Sequence, residues 1–257
     1  MSFLSLKDIH HVYFTPNESN TAIEDVSLSI DEGEFISFLG PSGCGKTTLL
    51  SIIAGLLKPT SGKVSLQEKD VTHSKAQEIG YMLQQDYLFP WKTIRENILL
   101  GLKIGKKNKV ADEINALKIL NDIGLSHVES QFPNQLSGGM RQRVALVRTL
   151  ATNPKLLLLD EPFSALDYVT KMQLEDLVSS TLKDFNKTAV LVTHDIGEAI
   201  AMSDRIHLFA AKPGRLFRTY DVPEELRLLT PFKARNHPLY SSLFQTIWKE
   251  FETIEES

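Results

Sequence analysis

Residues 40–47 read Gly40-Pro41-Ser42-Gly43-Cys44-Gly45-Lys46-Thr47. A short apolar run, Glu34 to Leu39, predicts a buried strand before this stretch, and leucines and isoleucines at helical spacing predict a helix after it. Glycines let successive backbone N–H groups converge on a phosphate, and a helix N-terminus favours the same anion. Lys46 supplies positive charge at the β and γ phosphates, and the Thr47 hydroxyl suits Mg²⁺. We therefore predict a nucleotide phosphate site over Gly40 to Thr48 in an α/β fold.

Two later strand-like runs lead into residues that suit catalysis. Leu156–Leu159 is followed by Asp160 and Glu161, and Ala189–Thr193 is followed by His194. Strands that alternate with helices predict a parallel, buried sheet with its ligand at the carboxyl ends of the strands. There Asp160 can hold Mg²⁺ through water, and Glu161 can polarise or deprotonate the attacking water. The first run alone also fits a core strand that ends in two solvated acids, but the upstream phosphate loop favours the catalytic interpretation.

A second pair of glycines lies in Leu136-Ser137-Gly138-Gly139-Met140. The apolar residues that follow predict a helix beginning just after the two glycines; they are Met140, Val144, Val147 and Ala151. Ser137, Gly138 and Gly139 then offer a hydroxyl and bare N–H groups at a helix N-terminus, which makes a second anion site. By itself such a stretch is more often an ordinary helix entry than a ligand site. One ATP does not need two such sites in the same chain.

The pattern divides the chain into a core, an insertion and a tail. Residues 86–150 predict a mostly helical insertion that includes a charged helix from Asn108 to Gly124, with candidate apolar positions at Ala111, Ile114, Leu117 and Ile119. Beyond the turn at Lys212–Gly214, an amphipathic helix is predicted to pack on the core; its stripe is Tyr240, Phe244, Ile247, Trp248 and Phe251. A regulatory or dimer contact is the alternative for this stripe. We expect one domain over residues 1–257, with a core of about 1–85 and 151–211, a helical subdomain of about 86–150 and a tail of about 212–257.

Composition narrows the classes of function. The net charge of −4 and the pI near 6.0 argue against a nucleic-acid binder with a basic surface. The one cysteine, Cys44, excludes an intrachain disulfide and fits a reducing compartment. No run approaches the roughly 18–20 apolar residues that cross a bilayer, and Met1 to His11 does not read as a secretory signal. We expect a cytoplasmic chain that reaches a membrane only through a partner.

Together these stretches resemble an ATP-binding cassette (ABC) subunit of a transporter, and the resemblance covers nearly the whole chain. Gly40–Thr47 resembles the Walker A motif, Leu156–Glu161 the Walker B motif, and Leu136–Met140 the signature motif that names the family. The resemblance implies a P-loop NTPase core of the RecA-like type, with a parallel sheet and a helical subdomain. It also implies an ATP hydrolase with ATP and Mg²⁺ as its cofactors.

Four further positions receive a role from this resemblance. Tyr13 resembles the aromatic residue that stacks on adenine, with Phe14 as the alternative. Gln84 resembles the Q-loop glutamine, which we assign to catalysis and to the metal, with Gln85 as the alternative. Ser164-Ala165-Leu166-Asp167 resembles the D-loop, and we place its Asp167 in the nucleotide site. His194 resembles the switch histidine that contacts the γ-phosphate.

The resemblance also implies how two copies work together. Two cassettes face each other head to tail, so that each ATP lies between the Walker A motif of one copy and Ser137–Gly139 of the other. That arrangement accounts for the second anion site. Because no catalytic motif is degenerate, we expect a homodimer; a heterodimer with a sister subunit is the alternative.

The expected task is import of a small solute. Tyr87-Leu88-Phe89-Pro90-Trp91 resembles a stretch of importers in the nitrate, sulfonate and taurine group and of related thiamine-precursor importers. The implied partners are an integral membrane permease and, indirectly, an extracytoplasmic solute-binding protein. The cassette would then be peripheral on the inner face of the cell membrane. A soluble ABC-type ATPase without a membrane partner, acting in assembly or on DNA or ribosomes, is the alternative.

Overall fold

The computed structural model describes residues 2–16, 18–72, 78–105, 110–164 and 166–255. The strands are β1 (Leu4–Phe14), β2 (Ser19–Ile30), β3 (Phe35–Leu39), β4 (Ser61–Leu66), β5 (Lys69–Asp70), β6 (Ile79–Met82), β7 (Leu156–Asp160), β8 (Thr188–Thr193), β9 (Arg205–Ala210) and β10 (Arg215–Asp221). The helices are α1 (Lys46–Ile53), α2 (Ile94–Ile104), α3 (Val110–Asp122), α4 (Gly138–Ala151), α5 (Tyr168–Asp184), α6 (Ile196–Met202), α7 (Glu224–Arg227), α8 (Pro231–Ala234) and α9 (Pro238–Glu255).

A six-stranded sheet carries the strands predicted to deliver the catalytic residues. Its order is β10-β9-β3-β8-β7-β6, with every neighbouring pair parallel except β10 on β9. Every residue of β3, β7 and β8 is buried, as the continuous apolar runs predict for a sheet covered on both faces. Their carboxyl ends lie side by side, because Leu39 pairs with Thr193 and Asp160 pairs with Val192. The predicted parallel sheet is therefore confirmed.

A second sheet was not predicted from the sequence. It is antiparallel, with the order β2-β1-β4-β5. Its inner side chains, among them Leu4 and Val64, share one apolar cluster with Leu49 and Leu50 of α1 and with Leu158 of the central sheet. Helix α1 is thus packed on both sheets, which fixes the direction of its N-terminus. That helix ends at Ile53, earlier than the apolar spacing up to Leu57 suggested.

The predicted helical segment is present, with two corrections. Helix α3 buries Ala116, Ile119 and Leu120, whereas the predicted apolar positions Ala111 and Ile114 are exposed, because the buried face is rotated toward α4. The first two residues of the predicted helix, Asn108 and Lys109, lie outside the described residues. Helix α4 begins at Gly138 rather than after Gly139, since Ser137 is its N-cap. Both glycines therefore belong to the first turn of that helix.

The C-terminal helix packs on the core, as predicted. Ile247 and Phe251 of α9 are buried in one cluster with Ile196 and Ile200 of α6, whereas Trp248 faces outward. Among the described helices, none combines the length and the apolar character that a bilayer crossing requires.

Candidate active site

The phosphate-binding loop joins β3 to α1 at the carboxyl edge of the central sheet. Gly43 and Gly45 have φ angles of 80° and 84°, in the left-handed region that favours glycine. A side chain at Gly45 would lie 2.6 Å from the Ala22 carbonyl oxygen, so the close approach of β2 also requires glycine there. At Gly43 a Cβ would meet no described atom within 4 Å. The backbone amides at this turn are therefore free of side-chain obstruction, as a phosphate cradle needs.

Lys46 and Thr47 place a cation and a hydroxyl at the first turn of α1. The buried Lys46 Nζ donates hydrogen bonds to the carbonyl oxygens of Gly40 and Pro41, at 2.7 and 2.9 Å, which holds the ammonium inside the loop. Thr47 Oγ1 donates to Asp160 Oδ1 at 3.1 Å. A hydroxyl beside a carboxylate is a set of hard oxygen donors, and Mg²⁺ prefers such donors. The residues present thus fit a magnesium nucleotide.

Asp160 ends β7 in a largely buried position. Burial raises its pKa, although hydrogen bonds from Thr47 and Tyr81 act in the opposite direction. The Tyr81 hydroxyl donates to Asp160 Oδ2 at 3.3 Å, and burial together with the Asp160 charge raises the pKa of Tyr81 to about 12. Tyr81 was missed in the sequence because β6 is only four residues long and contains Gly80. Its contact with Asp160 depends on the parallel pairing of β6 with β7.

Glu161 lies between the two side chains predicted to act with it. Its carboxylate accepts a hydrogen bond from Gln84 Nε2 at 3.2 Å and lies 3.3 Å from His194 Nδ1. The residue has a φ of 45°, a conformation uncommon outside glycine, and its N–H donates to the Val192 carbonyl. Of the two glutamines considered, Gln84 lines the cleft beside Glu161. Gln84 and His194 are 77 and 33 positions away from Glu161 in the sequence, yet both contact its carboxylate.

A cleft of about 620 Å³ opens over the phosphate loop. Tyr13 lines it and its hydroxyl lies 3.3 Å from Thr48 Oγ1, whereas the strongly exposed Phe14 does not contribute to the wall. The other residues that line the cleft beside β2 and the Lys212–Gly214 turn were not foreseen in the sequence; they are Asn20, Thr21, Ala22, Lys212 and Gly214. A side chain at Gly214 would lie 2.2 Å from the Cys44 carbonyl oxygen, so this turn packs directly on the phosphate loop. Of this part of the cleft, the sequence predicted only that Lys212–Gly214 forms a turn.

The signature segment is not brought into this cleft. Of the described residues that line the cleft, none belongs to Ser137–Gly139 or to the Asp167 turn. Ser137 and Gly138 are exposed, and Gly139 packs on Thr170 and Leu166 near the start of α5. Asp167 is the N-cap of α5 and accepts a hydrogen bond from Thr170 N–H at 3.1 Å. Ala165, in the middle of the predicted D-loop, lies outside the described residues.

The signature helix α4 is nevertheless tied to Gln84. Gln142 Nε2 donates to the Gln84 carbonyl oxygen at 3.0 Å, and Arg141 forms an ion pair with Asp86 at 2.9 Å. Arg148 donates to the carbonyl oxygens of Asp86 and Tyr87, at 2.7 and 2.8 Å. These contacts were not predicted, because they join polar residues separated by 55–62 positions without any recognisable spacing.

Comparisons with known proteins agree with this geometry. The family model described as ABC transporter matches residues 23–164. The chain is 57% identical to an uncharacterized ABC transporter ATP-binding protein, YtlC of Bacillus subtilis, over 100% of this chain and 98% of that protein. It is 39% identical to the aliphatic sulfonates import ATP-binding protein SsuB of Bacillus licheniformis, over 91% of this chain and 89% of the relative. A taurine import ATP-binding protein, TauB of Pelagibacter ubique, is 40% identical over 87% of this chain and 84% of its own length.

A solved structure supports the same comparison. It is a dimeric post-hydrolysis state of the ATP-binding cassette MJ0796 bound to ADP and Pi. The TM-score is 0.75 at 34% identity, and the alignment covers 86% of this chain and 99% of that one.

Proposed function

This chain belongs to the ABC transporter family, and on that premise we propose that it powers a membrane importer through ATP-driven closing and reopening of a homodimer. ATP-binding proteins of transporters in this family are ATPases, and the α/β fold with its parallel sheet is that of the solved cassettes. The observation that best supports the proposal is the placement of Glu161 between Gln84 and His194 beside the phosphate loop. The relatives named for import favour an importer over a soluble ATPase without a membrane partner.

In the proposed mechanism, the phosphate loop and Lys46 hold the phosphates of ATP by backbone N–H groups and by charge. Thr47, Asp160 and Gln84 would hold Mg²⁺, which would supply positive charge to neutralise the phosphates. Glu161 accepts a proton from the attacking water, and His194 contacts the γ-phosphate from the adjacent strand end. Tyr13 stacks on the adenine at the edge of the cleft.

The exposed signature segment supports the homodimer. Ser137, Gly138 and Gly139 sit at the N-terminus of α4, where N–H groups and the helix dipole favour an anion. Their position outside the chain's own cleft fits a γ-phosphate held by a second copy. Loss of that phosphate on hydrolysis would remove the bridge between the copies and reopen the dimer.

A first experiment replaces Glu161 with Gln. The amide keeps the shape of the carboxylate but cannot accept the proton, so we expect hydrolysis to fall by about 1,000-fold or more while ATP still binds. Loss of a negative charge near the γ-phosphate should also make the dimer persist. Steady-state hydrolysis and gel filtration with and without MgATP measure the two effects. Hydrolysis at the wild-type rate would exclude Glu161 as the base, and a monomer with MgATP would contradict the dimer.

The permease contact is proposed at Tyr87–Trp91. Trp91 and Tyr87 are 70% and 57% exposed, whereas Leu88 is buried and Phe89 is half-buried against the Trp91 ring, with ring centroids 5.4 Å apart. The buried Asn97 holds this loop by accepting from Phe89 N–H and donating to the carbonyl oxygens of Phe89 and Lys92. Exposed aromatic rings on a fixed loop suit a protein partner. Arg148 links the loop to α4, and Gln142 of α4 is bonded to Gln84. A movement of Gln84 on nucleotide binding could therefore be transmitted to the loop.

We propose that a short cytoplasmic helix of an integral membrane permease docks on this loop. The cassette would then be peripheral on the inner face of the membrane, and an extracytoplasmic solute-binding protein would act through the permease. The names of two relatives favour a solute of the sulfonate and taurine class.

A second experiment tests the docking with Trp91→Asp. A charge buried in an apolar contact costs several kcal/mol, so co-purification with the permease and solute uptake should both be lost. ATP affinity and melting temperature should stay at wild-type values, because the nucleotide cleft is built from other segments. Trp248→Asp is the matched control, since it places the same charge on an outward-facing tryptophan of the tail. Normal assembly by folded Trp91→Asp would refute the docking site.

A further inference from the structure

Behind His194 lies a group of charged side chains that the proposed mechanism does not use. It comprises Lys171 and Glu175 of α5, Asp195 and Glu198 at the start of α6, and Arg235 at the end of α8; we call it the switch-loop cluster. The sequence offered no signal for it, because its members are spread over 65 positions of the chain and belong to three separate helical segments.

Lys171 joins α5 to the segment that carries His194. Its Nζ lies 2.7 Å from Asp195 Oδ2 and 2.6 Å from Glu198 Oε1. Only 17% of the Lys171 side chain is exposed. Burial acts to lower the pKa of Lys171, but the two carboxylates outweigh it and raise that pKa. The ammonium is therefore held in its charged form between two acceptors on α6.

The same two carboxylates fix the backbone on both sides of His194. Asp195 Oδ1 caps α6 by accepting from the N–H groups of Gly197 and Glu198, at 2.7 and 3.1 Å. Glu198 accepts a hydrogen bond from the Thr193 hydroxyl, and that hydroxyl oxygen accepts from Asp195 N–H at 3.0 Å. His194 thus lies between two residues that are connected to Lys171. Asp195 pairs with Lys171 itself, and Thr193 is bonded to Glu198, which also pairs with Lys171.

The C-terminal tail supplies the second cation of the cluster. Arg235 Nη1 lies 2.6 Å from Glu175 Oε2, and Glu175 is fully buried one turn along α5 from Lys171. Burial raises the pKa of Glu175 to about 7 in spite of the Arg235 charge. A buried carboxylate is tolerated only beside a cation. The Lys171 charge also lowers the pKa of Glu175, so Lys171 and Arg235 act on the same buried carboxyl.

A small cavity of about 130 Å³ connects this cluster with the catalytic carboxylate. Lys171 and Glu198 line one part of it, and Glu161 and His194 line another. Lys171 and His194 thus line the same small cavity, and the hydrogen bonds through Thr193 and Asp195 connect the two.

We infer that Lys171 is a positioning residue that sets His194 against the γ-phosphate, and that Arg235 makes the C-terminal tail part of the same device. This inference rests on the proposed function, since it requires His194 to act in ATP hydrolysis. Neither residue contacts the nucleotide cleft, so their effect is on the rate of hydrolysis rather than on binding.

The test compares Lys171→Met, Lys171→Arg and Arg235→Met in the full chain. Lys171→Met should lower kcat by about 10-fold or more while ATP affinity changes by less than about threefold, because only the catalytic geometry is disturbed. Lys171→Arg, which keeps the positive charge, should retain most of the wild-type kcat. Arg235→Met should lower kcat by about threefold. Lys183→Met is the control on the same helix, since Lys183 donates to the Arg227 carbonyl oxygen far from the switch-loop cluster. Melting temperatures show that each variant is folded at the assay temperature.

The outcomes separate the inference from the proposed function. A folded Lys171→Met variant with wild-type kcat overturns the inference, and so does a fall in kcat that Lys183→Met shares. If Lys171→Met does not fold, Asp195→Asn decides: asparagine keeps the cap of α6 but loses the charge that faces Lys171, so wild-type kcat there overturns the inference. A wild-type chain that does not hydrolyse ATP, or a His194→Ala variant that hydrolyses it normally, contradicts the proposed function instead.

Discussion

The molecule presents two helix N-termini that suit an anion, and their surroundings differ. Helix α1 begins at Lys46 after Gly45, which makes no side-chain cap, so the first N–H groups of this helix remain available to a ligand. Helix α4 begins at Gly138 after Ser137, which caps it by accepting from Met140 N–H at 3.3 Å. Neither helix has an acidic residue in its first turn, so both ends keep their positive potential.

The first of these ends is enclosed by its own chain. Gln84, Glu161 and Tyr13 line one cleft with it, and Asp160 accepts a hydrogen bond from Thr47 in its first turn. The second end is exposed at Ser137 and Gly138, and neither is among the described residues that line that cleft. A helix end that favours an anion and is open on the surface can be approached by a second copy, as the proposed function requires. The difference between the two ends is therefore the physical argument for head-to-tail pairing.

The largest effect is expected at the enclosed end. Lys46→Ala removes the ammonium that would contact two phosphates. Because hydrogen bonds to charged groups are strong, we expect ATP affinity to fall by about 100-fold or more. Fluorescence titration with a nucleotide analogue measures it, with Lys63→Ala as a control because Lys63 forms a surface ion pair with Asp70 and is not among the described residues that line the cleft. Wild-type affinity in Lys46→Ala would mean that the enclosed end is not the phosphate site.

The sequence also predicted more of the site around the start of α1 than of the site at the start of α4. Gly40–Thr47, Asp160 and His194 were predictable together, because parallel strands bring their carboxyl ends to one edge and the motif lies at such an end. The convergence of Gln84, Glu161 and His194 rested on a family resemblance, and the structure places the three side chains in contact. Three features could be recognised only in the folded chain: the contact of Tyr81 with Asp160, the place of Lys212 in the cleft, and the N-cap by Ser137 that puts both glycines inside α4.

The reason for these omissions is the range of the interactions. Tyr81 meets Asp160 across 79 positions, and Gly214 meets Cys44 across 170, through strand pairing and turn packing that leave no local pattern. The antiparallel sheet of β1, β2, β4 and β5 was missed for a related reason. Its strands carry charged residues on their open face, and β1 and β2 pair with register shifts that interrupt simple alternation.

A smaller effect is expected at the open end from Gly138→Asp. Among the described residues, a Cβ there would meet only the flexible end of Arg141, at 3.9 Å. An acid in the first turn of a helix is also favourable, so the monomer should fold normally. The new charge should repel the γ-phosphate of a second copy, lowering hydrolysis by about 10- to 100-fold and abolishing the ATP-dependent dimer in the Glu161→Gln background. Ala111→Asp adds the same charge to the first turn of α3 and serves as the control.

ATP affinity measured at low protein concentration distinguishes the two ends in this variant. It should match the wild type, because the enclosed end is unchanged. If Gly138→Asp dimerises with MgATP as well as Ala111→Asp does, the open end is not an anion site in the dimer, and the comparison between the two helices loses its functional meaning.

The smallest effect concerns the Ser137 hydroxyl, which can serve its own helix, the partner's phosphate or both. Ser137→Ala removes the cap and should cost about 1 kcal/mol of unfolding free energy, a fall in melting temperature of roughly 2–4 °C for a chain of this size. Ser137→Asn caps a helix as well as serine does, so its melting temperature should stay at the wild-type value. If the hydroxyl also reaches the γ-phosphate of the second copy, Ser137→Asn should weaken the ATP-dependent dimer by about 3- to 10-fold in spite of normal stability. Ser137→Thr, which retains a hydroxyl and caps nearly as well, should lose little in either measurement. Equal dimer affinity for Ser137→Asn and the wild type would confine the hydroxyl to capping, and the bare N–H groups of Gly138 and Gly139 would then be the whole of the open anion site.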